Sequence, residues 1–155
     1  MRMSRASIGL AVVAAGCLFF GISGGGRAQE VRRYIAPRTA ADANVPPFSG
    51  AVQVGKTLYL SGDIGVDANN RVPDTPEAEA TLLFQKVQRT LMEAGYTMDD
   101  LVFVQVFSSD VKHYDAFNKV YRTMFKREFP ARAFIGSGPL LFNARFEMQG
   151  IAVQR

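Results

Sequence analysis

Leu101-Val102-Phe103-Val104-Gln105-Val106-Phe107 constrains this chain more than any other stretch. The run is too short for an independent helix, rich in valine and phenylalanine, and apolar at both alternating sets of positions. Such a segment reads as a strand buried on both sides. Whatever sheet forms around it therefore needs a cover on each face.

The flanking sequence supplies one cover. Val52, Val54, Leu58 and Leu60 alternate around Gly55-Lys56, which predicts a hairpin with glycine first in a two-residue turn. A helix is expected from Asp74 or Thr75, with Pro76 in its first turn and Glu77 available for a capping box to Asp74. Ala80, Leu83, Phe84, Val87, Leu91 and Ala94 give its apolar stripe, and Gly95 is placed to end it. Asp110 is expected to cap a second helix whose stripe is Tyr114, Phe117, Val120, Tyr121, Met124 and Phe125, aromatics assigned to the core. Ala133 to Ile135 and Arg145 to Val153 read as the closing strands. The last sets Phe146, Met148, Gly150 and Ala152 on one face and Glu147, Gln149 and Ile151 on the other. The order β-β-α-β-α-β-β describes an α+β fold, a single sheet with two helices on one face. The second face of the sheet needs another cover, and a further copy of the chain is the simplest.

A length of 155 residues fits one domain. Residues 1–28 have the pattern of a signal peptide: Arg2 and Arg5, then an uncharged stretch from Ile8 to Ile22, then Gly26 and Ala28 as small residues before a cleavage after Ala28. That stretch of 15 residues is short of the roughly 20 needed to span a bilayer. A periplasmic or secreted protein is expected, touching a membrane only through its leader. Residues 29–47 read as a flexible tether ending in Pro46-Pro47, and residues 48–155 as the folded domain. The sole cysteine, Cys17, falls in the leader, so the mature chain has neither disulfide nor thiol chemistry.

The formal charge of +4 is also concentrated at the start. Beyond residue 28 there are 15 basic and 14 acidic residues, with no basic run except Arg32-Arg33, so no nucleic-acid partner is indicated. There is no Gly-rich phosphate loop, zinc-type spacing or Ser-His-Asp set, and the single histidine, His113, is assigned to the surface. No metal or cofactor is expected.

What remains is an arginine, Arg132, opening one closing strand and a glutamate, Glu147, inside the other. A carboxylate written into such a strand needs a reason, because burying it unpaired is costly. Either Glu147 forms a structural ion pair with Arg132 or Arg145, or Arg132 holds a small anion and Glu147 handles water.

Phe48-Ser49-Gly50-Ala51-Val52, Leu60-Ser61-Gly62, Asn118-Lys119-Val120-Tyr121, Phe129-Pro130-Ala131-Arg132 and Phe146-Glu147 resemble, in order and spacing, the RidA family, also called YjgF/YER057c/UK114. The resemblance runs from about Pro46 to Val153. It implies a chorismate-mutase-like fold assembled as a homotrimer with intersubunit clefts. It also implies hydrolysis of enamines or imines derived from amino acids to 2-oxo acids and ammonia, without cofactor or metal. On this resemblance Arg132 grips the substrate carboxylate, Glu147 positions or activates water, and Phe48, Ser61, Gly62 and Asn118 line the cleft. This chain departs from the family pattern at Phe48, where many members have tyrosine, at Asp63 after Ser61-Gly62, and at Ala133-Phe134 after Arg132. The alternative expectation is a non-catalytic trimer that binds small carboxylates or acts like a chaperone in the periplasm.

Overall fold

A computed structural model describes residues 31–36 and 45–155. The signal-peptide reading, and most of the tether, lie outside these residues.

The hairpin forms where the alternation placed it: β2 (Ala51–Val54) and β3 (Thr57–Ile64) flank Gly55, whose φ of 57° is one glycine adopts without penalty. α1 (Pro76–Ala94) follows. Its cap is Thr75, whose hydroxyl accepts from the Ala78 N–H, and Gly95 closes it in the left-handed conformation. The apolar run becomes β4 (Leu101–Ser108). Asp110 caps a short 3-10 turn, Val111–His113, that leads into α2 (Tyr114–Tyr121). α2 thus stops before Met124 and Phe125, although both still pack on the core. β5 (Ala131–Gly136) and β6 (Phe146–Val153) complete the chain.

One strand was not anticipated. β1 (Arg32–Ile35) pairs antiparallel with β2, inside the segment read as a tether, so ordered structure begins ahead of Phe48. Its one buried side chain is Ile35, which leaves no apolar periodicity to find. The strand is held by its ladder and by Arg33, whose guanidinium donates to the Glu93 and Ala94 carbonyls at the end of α1.

The six strands form one mixed sheet in the order β1-β2-β3-β6-β4-β5, antiparallel throughout except for β4 with β5. α1 and α2 pack on each other and over Leu58, Leu60, Val104, Val106, Phe146, Met148 and Ala152. Phe84, Phe117 and Phe146 join the two helices to β6 at ring separations of 5.4 and 4.9 Å. The fold is therefore α+β, a single sheet with two helices. On the opposite face Tyr59, Phe103 and Ile135 stand exposed around a Gln149–Gln105 side-chain hydrogen bond. That is the uncovered side expected from β4.

Glu79 is fully buried, and the reason is local. Its carboxylate accepts from the Arg145 and Phe146 backbone N–H groups and from the Arg145 guanidinium, tying α1 to the start of β6. Gly65 makes room for it, since a Cβ there would fall 2.3 Å from the Glu79 carbonyl oxygen. His113, assigned to the surface, is half-buried with its ring edge-on to Phe146.

Candidate functional site

Arg132 lies on the edge strand β5, opposite Val104 of β4. Paired residues share a face, so its side chain rises on the helix-covered side. α2 meets it there. Tyr114, Asn118, Tyr121 and Arg122 recur at i, i+4, i+7 and i+8 and form one flank of the helix and its cap. Arg132 Nη2 donates to Asn118 Oδ1 at 2.8 Å. The guanidinium carbon sits 4.4 Å from the centre of the Tyr121 ring, with Tyr114, Phe117 and Phe134 within 6.0 Å. Nη1 is buried and has no hydrogen-bond partner among the described residues. Among the described residues no acid forms an ion pair with Arg132. A cavity of about 190 Å³ opens at this point, lined by Tyr114, Asn118, Tyr121, Arg122, Phe129, Pro130 and Arg132. Burial pushes the Tyr121 hydroxyl up to about 12 against the pull of the Arg132 charge, so it stays a neutral phenol.

Glu147 belongs to a different neighbourhood. It is paired with Phe107 of β4 and Ile64 of β3, on the open face of the sheet. The register of β3 against β6 shifts between Leu60 and Asp63, so Ser61 and Gly62 together oppose Gln149, a bulge that re-aims the chain. A Cβ on Gly62 would lie 2.2 Å from Glu147 Oε1. Glycine at this position is what leaves the carboxylate its place. Burial, and secondarily the charge of Asp63, hold the Glu147 carboxyl above the usual glutamate range. Asp63 is itself engaged by Lys86 and by the Ile64 N–H. Ser61 Oγ donates to the Ser49 carbonyl at 2.6 Å, which anchors the segment carrying the exposed Phe48.

Of the residues singled out from sequence, the fold brings Arg132 to Asn118 and Gly62 to Glu147, while Ser61 turns to the Ser49 carbonyl. It does not bring Arg132 to Glu147 within one chain, because the register sends them to opposite faces. Neither competing ion pair for Glu147 forms, since Arg145 is taken by Glu79. Sequence reasoning assigned Tyr114 and Tyr121 to the core: Tyr121 is there and also lines the cavity, whereas Tyr114 is exposed. Arg122 was passed over, and Phe129 was noted only as part of the motif before Arg132. Helical spacing from Asn118 was the available signal for the first three.

The model of the family described as Endoribonuclease L-PSP matches residues 39–154. A protein of Dermatophagoides farinae named 2-iminobutanoate/2-iminopropanoate deaminase is 37% identical over 111 residues, covering 70% of this chain and 87% of its own. A Mus musculus protein of the same name is 33% identical over 127 residues, covering 81% and 94%. The crystal structure of yeast Mmf1 superposes with a TM-score of 0.70 at 32% identity, covering 81% of this chain and all of that one. With that family match, those relatives, the shared fold and the motifs around Arg132 and Glu147, the chain belongs to the Endoribonuclease L-PSP family, the RidA/YjgF/UK114 group.

Proposed function

We propose that this chain hydrolyses small 2-imino acids and their enamine tautomers to 2-oxo acids and ammonia, as a homotrimer in the periplasm or outside the cell. The observation that carries the reading is the state of Arg132. Its guanidinium is fixed by Asn118 and stacked on Tyr121, yet has no acid partner among the described residues and one buried nitrogen unpaired. A buried donor left unpaired costs about 1–3 kcal/mol, and an arriving carboxylate removes that cost through a charged, two-pronged contact. The cavity of about 190 Å³ has space for about six waters at ~30 Å³ each, a fit for the short 2-imino acids in the relatives' names.

Glu147 supplies the proton traffic in this reading. With the imine entering protonated on nitrogen, the Glu147 carboxylate takes a proton from water as the oxygen adds to the iminium carbon, giving a tetrahedral carbinolamine. Return of that proton to nitrogen makes ammonia the leaving group, and the C–N bond breaks as the carbinolamine hydroxyl gives its proton back to Glu147, leaving the 2-oxo acid. A carboxyl raised by burial and by Asp63 is suited to work in both directions nearer neutral pH. Since Arg132 and Glu147 point to opposite faces, each cleft takes the arginine from one subunit and the glutamate from its neighbour. The exposed Tyr59, Phe103 and Ile135 are the surface available for that assembly. The ribonuclease activity in the family's description draws no support from a mature charge of only +1.

An imine generated by an amino-acid oxidase, followed by its loss with and without the protein, tests the reaction. Acceleration is expected, and Arg132→Lys should lose about tenfold to a hundredfold in kcat/KM, the equivalent of charge-assisted hydrogen bonds of about 1.5–3 kcal/mol. No acceleration over buffer across several amino acids leaves the Arg132 pocket as a carboxylate-binding module. An intact N-terminus recovered from the cytosol overturns the export half of the proposal.

A further inference from the structure

The Arg132 cavity carries a second guanidinium. Arg122 caps α2 immediately after Tyr121 and lines the same cavity as Arg132. It is exposed, and among the described residues its side chain has neither an acid partner nor a hydrogen bond. A 2-imino acid with a single carboxylate neutralises one of these cations and leaves the other lining the same cavity without a counter-charge. Like charges so placed repel, and a ligand with a second anionic group relieves that.

The charge of the surrounding chain points the same way. Residues 114–132 contain every residue lining the cavity, and they carry five basic residues (Lys119, Arg122, Lys126, Arg127, Arg132) against two acidic ones, Asp115 and Glu128. That net of +3 exceeds the +1 of the whole chain beyond residue 28, so the remainder is net negative. Of these charged residues only Arg122 and Arg132 line the cavity, so its own lining is cationic with no acid in it. Tyr114, Phe129 and Pro130 add an apolar wall suited to a short methylene spacer.

We infer that Arg122 is a specificity-determining residue that favours 2-imino acids bearing a second carboxylate, the class formed by oxidation of acidic amino acids. The hydrolysis rests on the reading given above, whereas the binding preference stands apart from it. The same atoms are exchanged as for any 2-imino acid, and only the distal carboxylate is new.

The test compares the full chain with Arg122→Gln and Arg122→Lys. Imines made in place from aspartate and from 2-aminobutyrate by amino-acid oxidases give the ratio of the two kcat/KM values. Calorimetry with 2-oxoglutarate and 2-oxobutanoate gives the binding ratio without turnover. Both ratios should favour the dicarboxylate, fall about three- to tenfold in Arg122→Gln, and be largely kept in Arg122→Lys. Equal losses for both ligands, an unchanged ratio, or a wild-type ratio favouring the monocarboxylate overturns the inference. If neither imine is hydrolysed but the 2-oxoglutarate preference is present and Arg122-dependent, the hydrolytic reading fails and this one stands.

Discussion

At Glu147 two effects act in the same direction, partial burial first and the Asp63 charge second. Both disfavour the carboxylate, so its proton is released above the usual glutamate range. The acid limb of kcat/KM should therefore lie above that range. Asp63→Asn removes one of the two causes and should move the limb to lower pH, read from a pH–rate profile. A limb that does not move would mean that Glu147 does not govern it. Arg132 presents the complementary situation, a cation packed on aromatic faces and hydrogen-bonded to a neutral amide, with no acid partner among the described residues.

Two elements place these side chains. The bulge in β3 turns Gly62 toward Glu147, so Gly62→Ala should keep the fold and displace the carboxylate, since the conflict is with the movable end of a side chain. The expected outcome is an unchanged melting temperature within a few degrees and a fall in kcat larger than any rise in KM. The buried Glu79–Arg145 pair joins α1 to β6 and does the opposite. Glu79→Gln leaves the partly exposed Arg145 charge without its counter-charge and weakens its charge-assisted hydrogen bonds, and should cost about 1.5–3 kcal/mol in denaturant unfolding. Arg145 is thus a structural residue although it stands beside Glu147's strand.

For the whole molecule, the opposed directions of Arg132 and Glu147 make assembly a functional question. If each cleft is shared, Arg132→Ala and Glu147→Gln proteins are inactive alone. Unfolded together and refolded, they should regain a fraction of the wild-type rate, because some clefts then pair an intact arginine with an intact glutamate. No recovery in a mixture that sediments as mixed trimers would rule out the shared cleft. A monomer in sedimentation at micromolar concentration would count against assembly itself.

Most of the architecture was legible in local pattern. The two-sided apolar run of β4, the alternation around Gly55 and the stripe of α1 each report a face that must leave water, and hydrophobic burial acts on such faces wherever the chain goes. β1 was illegible because backbone ladder bonds and a capping arginine hold it, and these write no periodicity. Of the site residues, Arg132 and Glu147 were visible by their own chemistry, whereas Asn118 and Gly62 entered only through the family resemblance. Which of them meet was decided by β-sheet register, in which one step of pairing exchanges the faces of a strand. That register, formed between strands distant in sequence, sends Arg132 under α2 and Glu147 to the open side. The packing of α1 against the start of β6 likewise puts Glu79 beside Arg145, a contact between segments 66 residues apart that no local pattern announces.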